Sequence, residues 1–312
     1  MSLEPAPQPH GTSIGQAIVD ALAYSDVFDY PLTSSQIRRY LVRTPASPSE
    51  VEHALATDAW LSNRIESNGD QFCLAGRSAI FAIRAARAAH SAWLWRRACL
   101  LGRIAANLPF TRLVAIIGSL TMDNARSRSD DIDLFIVTAS GRVWLTRAFI
   151  IALVRLARLS KIDLCPNYIL SEGRLHMESQ DLFTARELAQ MQPLYGSREY
   201  RALLDANEWL CAMLPNADPR TAHLADLGAV ARIAQRALEW PLAGRAGDAL
   251  ERRLRRRKVA ELAQQATSMG SPEVVLEPEV CKGHMDSHGK KIRQEYSRRR
   301  ERYFAPEPAW KE

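Results

Sequence analysis

The chain has 312 residues, with 41 Lys and Arg against 35 Asp and Glu, a formal charge of +6. That length predicts two domains or three, and an apolar fraction of 47% is enough for real cores, which excludes wholesale disorder. The five cysteines, Cys73, Cys99, Cys165, Cys211 and Cys281, form no Cys-x-x-Cys pair, which argues against a disulfide framework or a zinc ribbon and suits a reducing, cytoplasmic setting. The most apolar helix candidate, Val143 to Leu159, contains Arg147, Arg155 and Arg158, so no membrane span and no membrane partner is expected.

In chain order, the polar, Pro-rich stretch 1–13 reads as a disordered leader rather than a signal peptide. Apolar residues at Ile14, Ala17, Ile18, Ala21 and Leu22 predict a first helix. Thr33 with Gln36 forms a capping box that opens a second helix. Ser47 with Glu50, and Pro48 at the first helical position, opens a third that ends near Trp60. Segments Arg64–Ser67 and Gln71–Leu74 flank Asn68-Gly69, a strong hairpin signal. Three short helices and a hairpin predict a winged helix-turn-helix over 14–77.

A long Ala-, Arg- and Trp-rich helical stretch from Ser78 to Asn107 connects to the next unit, and Pro109 stops it. Arg112–Ile117 and Ile132–Val137 read as strands, Arg142–Leu159 as an amphipathic helix, and Ile162–Leu170 as a third strand. In that third strand Pro166 predicts an edge or a bulge. Thr184 with Glu187 predicts another helix start, and segments 184–192, 198–214, 224–240 and 246–266 carry helical periodicity. The tail offers a short strand at Glu273–Leu276, the stretch Cys281–His288, and a basic helix, Lys290–Tyr303. The expected fold class is therefore α+β. A winged helix (14–77) and a connecting helix (78–107) precede a mixed α/β unit (108–175), a helical region (176–268) and a basic tail (269–312).

The chemistry concentrates in Val114–Val137, VAIIGSLTMDNARSRSDDIDLFIV. The first strand ends in Gly118-Ser119, and Asp131-Ile132-Asp133 enters the second. Alternate residues of a strand share a face, so Asp131 and Asp133 project together. Two carboxylates on one face repel unless a cation lies between them, and Mg²⁺ favours one or two carboxylates with phosphate oxygens and water. Gly118 allows close backbone approach, and Ser119 adds a hydroxyl and an N–H for a phosphate.

This stretch resembles the nucleotidyltransferase superfamily that includes DNA polymerase β and the minimal nucleotidyltransferases. Their signature is a Gly-Ser, a short spacer, and Asp-x-Asp on a strand. The resemblance covers Arg112 to Leu170. It implies that Gly118 and Ser119 serve as the phosphate-side pair of an NTP and that Asp131 and Asp133 bind Mg²⁺. It further implies a third carboxylate on the neighbouring strand as base or metal ligand. Asp163 is the candidate, although Asp163, Cys165 and Asn167 alternate along one face and Asn167 could face the site instead. The chain departs from the family pattern in having Thr121-Met122-Asp123-Asn124 where an Arg-Gly pair is common, and in the additional Asp130. A looser similarity, carried by Tyr24–Thr33, Gly118–Val137, Cys165–Ser171 and Pro193–Gly196, links the chain to bacterial nucleotidyltransferase-domain proteins with a winged helix.

The activity expected is transfer of an NMP from an NTP to an acceptor (protein, RNA or small molecule) with release of pyrophosphate. No GxxxxGK[ST] occurs and no Lys lies between Gly118 and Asp133, which argues against γ-phosphoryl transfer. The alternatives are a catalytically degenerate nucleotide-binding regulator and a polyanion-binding module built on Arg252-Arg253, Arg255–Lys258 and Arg298–Arg300. Sequence-specific DNA reading is not expected, because the third helix carries Glu50, Glu52 and Asp58 and no Lys or Arg. Cys281, His284, Asp286 and His288 match no zinc spacing, and Lys282 and His284 could instead fold back onto the nucleotide site.

Overall fold

The computed structural model describes residues 13–219, 226–269, 275–282 and 288–305. Of the expected leader 1–13, residues 1–12 lie outside them, as do His284, Asp286 and the side chain of His288, while Ser13 is the N-cap of the first helix. Helix and strand are mixed along the chain. The elements run α1 (Ile14–Asp26), β1 (Leu32–Thr33), α2 (Ser34–Arg39), α3 (Pro48–Thr57), α4 (Ala59–Ser62), β2 (Ile65–Asn68), β3 (Gln71–Leu74), α5 (Ala79–Ala106), β4 (Thr111–Ile117), β5 (Ile132–Thr138), α6 (Val143–Leu159), β6 (Leu164–Ser171), α7 (Leu182–Gln190), β7 (Gln192–Tyr195), α8 (Ser197–Asp205), α9 (Trp209–Met213), α10 (Ala229–Glu239), α11 (Arg245–Met269), β8 (Val275–Leu276), β9 (Val280–Lys282) and α12 (His288–Phe304). Among the described residues no helix is long and apolar enough to cross a membrane.

The chain forms two compact units. One comprises the residues up to Ala85, Trp209–Asp218 and the chain from Ile292; the other comprises Ala86–Glu208 and Pro219–Lys291. In the first unit, capping boxes open α1 (Ser13 with Gln16), α2 (Thr33 with Gln36) and α3 (Ser47 with Glu50). The third helix stops short of Trp60 because Asp58 turns its carboxylate onto the N–H groups of Trp60 and Leu61, at 2.9 and 3.0 Å, and caps a new short helix. Asn68-Gly69 forms the expected hairpin tip, with Gly69 at φ +65°, and β1 adds a third strand to β3.

From Ile292 on, the C-terminal helix groups with this unit. Arg299 Nε lies 2.7 Å from Asp26 and Arg300 Nε 2.9 Å from Asp20, both buried carboxylates of α1. Tyr296 donates to Asp20 at 2.7 Å, and Arg77 takes the second oxygen of Asp26 at 2.7 Å. Two of the three arginines in Arg298–Arg300 are thus internal ion-pair partners, which weakens their reading as a polyanion patch.

The second unit is built on a six-stranded sheet in the order β7-β4-β5-β6-β9-β8. Strands β4 and β5 are antiparallel; β5 and β6 are parallel, with α6 as the crossover between them. Strands β7 and β9, which carry no alternating pattern of their own, flank the expected three. Pro166 is accommodated by a bulge, where Leu134 pairs with Pro166 and Phe135 with Tyr168; β6 is an interior strand, not an edge. The core joins Val114, Ile116, Ile132, Leu134 and Ile136 to Leu94, Ala98 and Leu101 of α5 and to Trp144, Leu153 and Val154 of α6.

Two polar devices hold helices onto this core. The α6 N-terminus has no side-chain cap of its own; Glu251 of α11 supplies it, accepting from the N–H groups of Trp144 at 2.8 Å and Leu145 at 2.7 Å. Helix α10 docks through Gln235, whose amide reaches the carbonyls of Ala106, Leu108 and Thr111 at 3.0, 2.8 and 3.2 Å, while Val230, Ile233 and Trp240 are exposed. The helix expected to open at Thr184 is capped earlier, by Asp181, whose carboxylate accepts from Thr184 N–H at 2.9 Å. The span 198–214 breaks into α8 and α9, and the intervening Asn207 is buried, accepting from Met177 N–H and donating to the carbonyls of Leu175 and Leu203.

Candidate metal centre

Strand β4 is apolar on both faces and runs directly into Gly118, whose φ of +76° turns the chain out of the sheet. In the antiparallel register Ile117 pairs with Asp133, so the turn arrives beside the aspartate. A Cβ at position 118 would overlap Asp133 Oδ2 and lie 3.3 Å from its Cγ. Only glycine meets both demands, the left-handed φ and the carboxylate against the backbone. Ser119 is exposed and opens a four-residue 3₁₀ turn, Ser119–Met122. Such a short turn brings little helix dipole; the Ser119 side chain is what it leaves exposed.

Thr121, Asp123, Asn124 and Asp130 shape this loop. Thr121 Oγ1 donates to the Gly118 carbonyl at 2.8 Å. Asp123 accepts from Trp95 Nε1 at 2.9 Å, Asn124 accepts from Arg87 at 3.0 Å, and the N–H of Ala125 donates to Ser91 Oγ at 3.0 Å. Arg87, Ser91 and Trp95 are successive i, i+4 positions on α5, so one face of that helix holds the loop. The additional Asp130 folds back onto Arg126 N–H at 2.6 Å and Ser127 Oγ at 3.3 Å.

Asp131 immediately precedes β5 and is exposed; Asp133 lies within the strand and is partly covered. Among the described residues, Asp131, Asp133 and Cys165 each present a ligand atom, and these atoms all lie within 4.8 Å of one another. Cys165 comes from β6, in register with Asp133. Asn167, buried two residues further along β6, donates from Nδ2 to Asp133 Oδ1 at 3.2 Å. Of Asp163 and Asn167, it is Asn167 that faces the carboxylate, beside Cys165. Asp163 does not join the cluster: it is exposed, its Oδ1 lies 3.3 Å from Arg158, and its backbone carbonyl accepts from Ile132 N–H at 2.9 Å.

Burial pushes the Asp133 carboxyl up to about 8, and the neighbouring Asp131 charge pushes in the same direction. Glu187 of α7 adds to the repulsion, while the hydrogen bonds from Asn167 and Cys165 oppose it. Burial, then the charges of Asp133 and Asp131, raise the Cys165 thiol well above its usual range. A cation between these groups inverts that balance, since it favours the ionised forms. The donor set therefore fits a divalent ion: two neighbouring carboxylates whose charges repel, one of them oriented by an amide, with a thiol beside them.

The sequence marks Glu187 only as part of a helix start with Thr184; its effect on Asp133 is not legible there, because its helix lies far along the chain and its spacing to Asp133 carries no periodic signal. Lys282 sits on β9 opposite Tyr168, with Nζ 5.7 Å from the ring centroid. Its strand flanks β6, and no bond from it to the aspartates is observed among the described residues. Cys281 is buried in the sheet. Comparison with protein-family models, with curated proteins and with solved structures finds no match to this chain.

Proposed function

We propose that the chain is a Mg²⁺-dependent nucleotidyltransferase of the DNA polymerase β-like kind, moving an NMP from an NTP to an acceptor and releasing pyrophosphate. The observation that carries this reading is the convergence of Gly118 and Asp133: the phosphate-side turn ends against the carboxylate that pairs with Asp131. Asp131 and Asp133 hold the ion, and bound Mg²⁺ supplies neutralisation of phosphate charge. Gly118 and Ser119 take the outer phosphates, which leaves the α-phosphate beside the two aspartates. An acceptor oxygen attacks the α-phosphorus, the bond to pyrophosphate breaks, and the acceptor proton passes to solvent. Holding nucleotide and acceptor in line supplies the positional part of the acceleration.

Asn167 has the orienting role at Asp133, and Asp163, engaged with Arg158, is not assigned as base. This revises the expectation for Asp163 on the geometry of β6. The three helices and hairpin of the first unit support a winged-helix reading. Because α3 has no Lys or Arg, the unit is assigned to docking of the acceptor, a protein, RNA or small molecule, rather than to DNA reading. The setting in this reading is cytoplasmic. Incubation of the full chain with each NTP labelled on the α-phosphate, Mg²⁺ and cell extract tests the proposal. Label on an acceptor with release of unlabelled pyrophosphate supports it; unconsumed NTP under all four conditions contradicts it.

A further inference from the structure

The third ligand group at the centre is a thiol, and this changes which ions the centre can hold. Two carboxylates alone make a hard oxygen site suited to Mg²⁺. The addition of Cys165, within 4.8 Å of both, makes a mixed oxygen and sulfur set drawn from β5 and β6. Such a set favours ions that accept thiolate, since Mg²⁺ binds sulfur poorly while Zn²⁺ takes carboxylate and thiolate together in tetrahedral sites. The three groups supply the three protein ligands of an open Zn²⁺ site, and Asp131, the exposed one, leaves the cluster reachable from solvent.

We infer that Asp131, Asp133 and Cys165 form a thiophilic metal site of the Zn²⁺ class, in which such an ion displaces Mg²⁺ and stops turnover. The regulatory half of this inference rests on the nucleotidyltransferase reading; the metal site itself does not. On binding, the Cys165 S–H bond breaks, the proton goes to solvent and the sulfur lone pair enters the metal shell, with no change of oxidation state. Asn167 keeps Asp133 turned toward the ion in both loaded forms. The arrangement also separates the ligands by use: the aspartates serve either ion, and Cys165 serves only the softer one.

Co²⁺ substitution tests this directly, because a Co²⁺–thiolate bond gives a near-ultraviolet charge-transfer band that oxygen ligands do not. The full chain is used with Cys99→Ser and Cys211→Ser, which remove the two exposed thiols. One equivalent of Co²⁺ is expected to give the band, stoichiometric Zn²⁺ to remove it, and equimolar Mg²⁺ to leave it. Adding Cys165→Ser is expected to abolish the band and to weaken Zn²⁺ binding by more than about 100-fold, beyond the loss caused by removing an outer partner of a ligand. Thermal melting in chelator checks that each variant is folded, and Cys165→Ala serves if the Ser variant is not. No band, or a band that survives loss of Cys165, overturns the inference. Mg²⁺-dependent nucleotide binding is measured on the same samples. The band without nucleotide binding supports the metal site and contradicts the transfer reading; nucleotide binding without the band does the reverse.

Discussion

Asn167 donates to Asp133 across the parallel strands β5 and β6, at 3.2 Å from Nδ2 to Oδ1. A bulge beside Pro166 sets this contact, because Phe135 pairs with Tyr168 and leaves Asn167 over the preceding step. The amide fixes one carboxylate oxygen and leaves the other against Gly118. Outer partners of metal ligands are worth about 10–100-fold in metal affinity. Asn167→Ala is therefore expected to weaken Mn²⁺ or Mg²⁺ binding by a factor in that range, read by calorimetric titration. Unchanged affinity would remove the positioning role.

The raised Asp133 carboxyl predicts a pH dependence whose sign is opposite to that of an ordinary ion-paired aspartate. Its folded value, about 8, lies above its ordinary value of 3.8, so the fold binds this proton more tightly than the unfolded chain. The contribution to stability is full below the ordinary value and is lost as pH rises through about 8. In chelator, melting temperature should fall across this window from this group, and Asp133→Asn should remove that component. With Mg²⁺ the slope should shrink, because metal binding favours the ionised form. A wild-type and Asp133→Asn pair with parallel pH profiles would refute the assignment.

Gly118→Ala meets two penalties, a left-handed φ and overlap with Asp133 Oδ2. Backbone strain of this kind costs about 1–3 kcal/mol. Denaturant unfolding is expected to show a loss of that size, and metal titration a displaced carboxylate as weaker binding. A variant with wild-type stability and affinity would contradict the close approach.

Arg299 joins the C-terminal helix to a buried aspartate of α1. Arg299→Ala leaves Asp26 with Arg77 alone, and loss of a hydrogen bond to a charged group costs about 1.5–3 kcal/mol. The expected result is lower stability of the first unit with metal affinity at the second unit unchanged. If stability held while binding to RNA weakened, the arginine would be a surface ligand and not an internal partner.

Much of the first unit was legible because its signals are local. Ser47-x-x-Glu50, Thr33-x-x-Gln36 and Asn68-Gly69 specify caps and a turn from residues within reach of one another. The same holds for Asp131 and Asp133, whose spacing puts them on one side of a strand. What the sequence left open depends on distant partners. Glu251 caps a helix more than a hundred residues earlier, Glu187 charges a site on another strand, and Arg300 neutralises an aspartate near the other end of the chain. The choice between Asp163 and Asn167 turned on Arg158, which claims Asp163, and on the bulge at Pro166, which aims Asn167. Neither is a feature of periodicity.

The most direct test of the account labels one NTP at the α-phosphate and, in a parallel sample, at the γ-phosphate, using wild type and Asp131→Asn with Mg²⁺ and acceptor-containing extract. The account predicts α-label on the acceptor, γ-label only in pyrophosphate, and a fall of about 10²–10³-fold or more in α-transfer for Asp131→Asn with the fold intact, the scale of loss expected when a group that stabilises transition-state charge is removed. Transfer of γ-label without α-label, or α-transfer that survives Asp131→Asn, would contradict it.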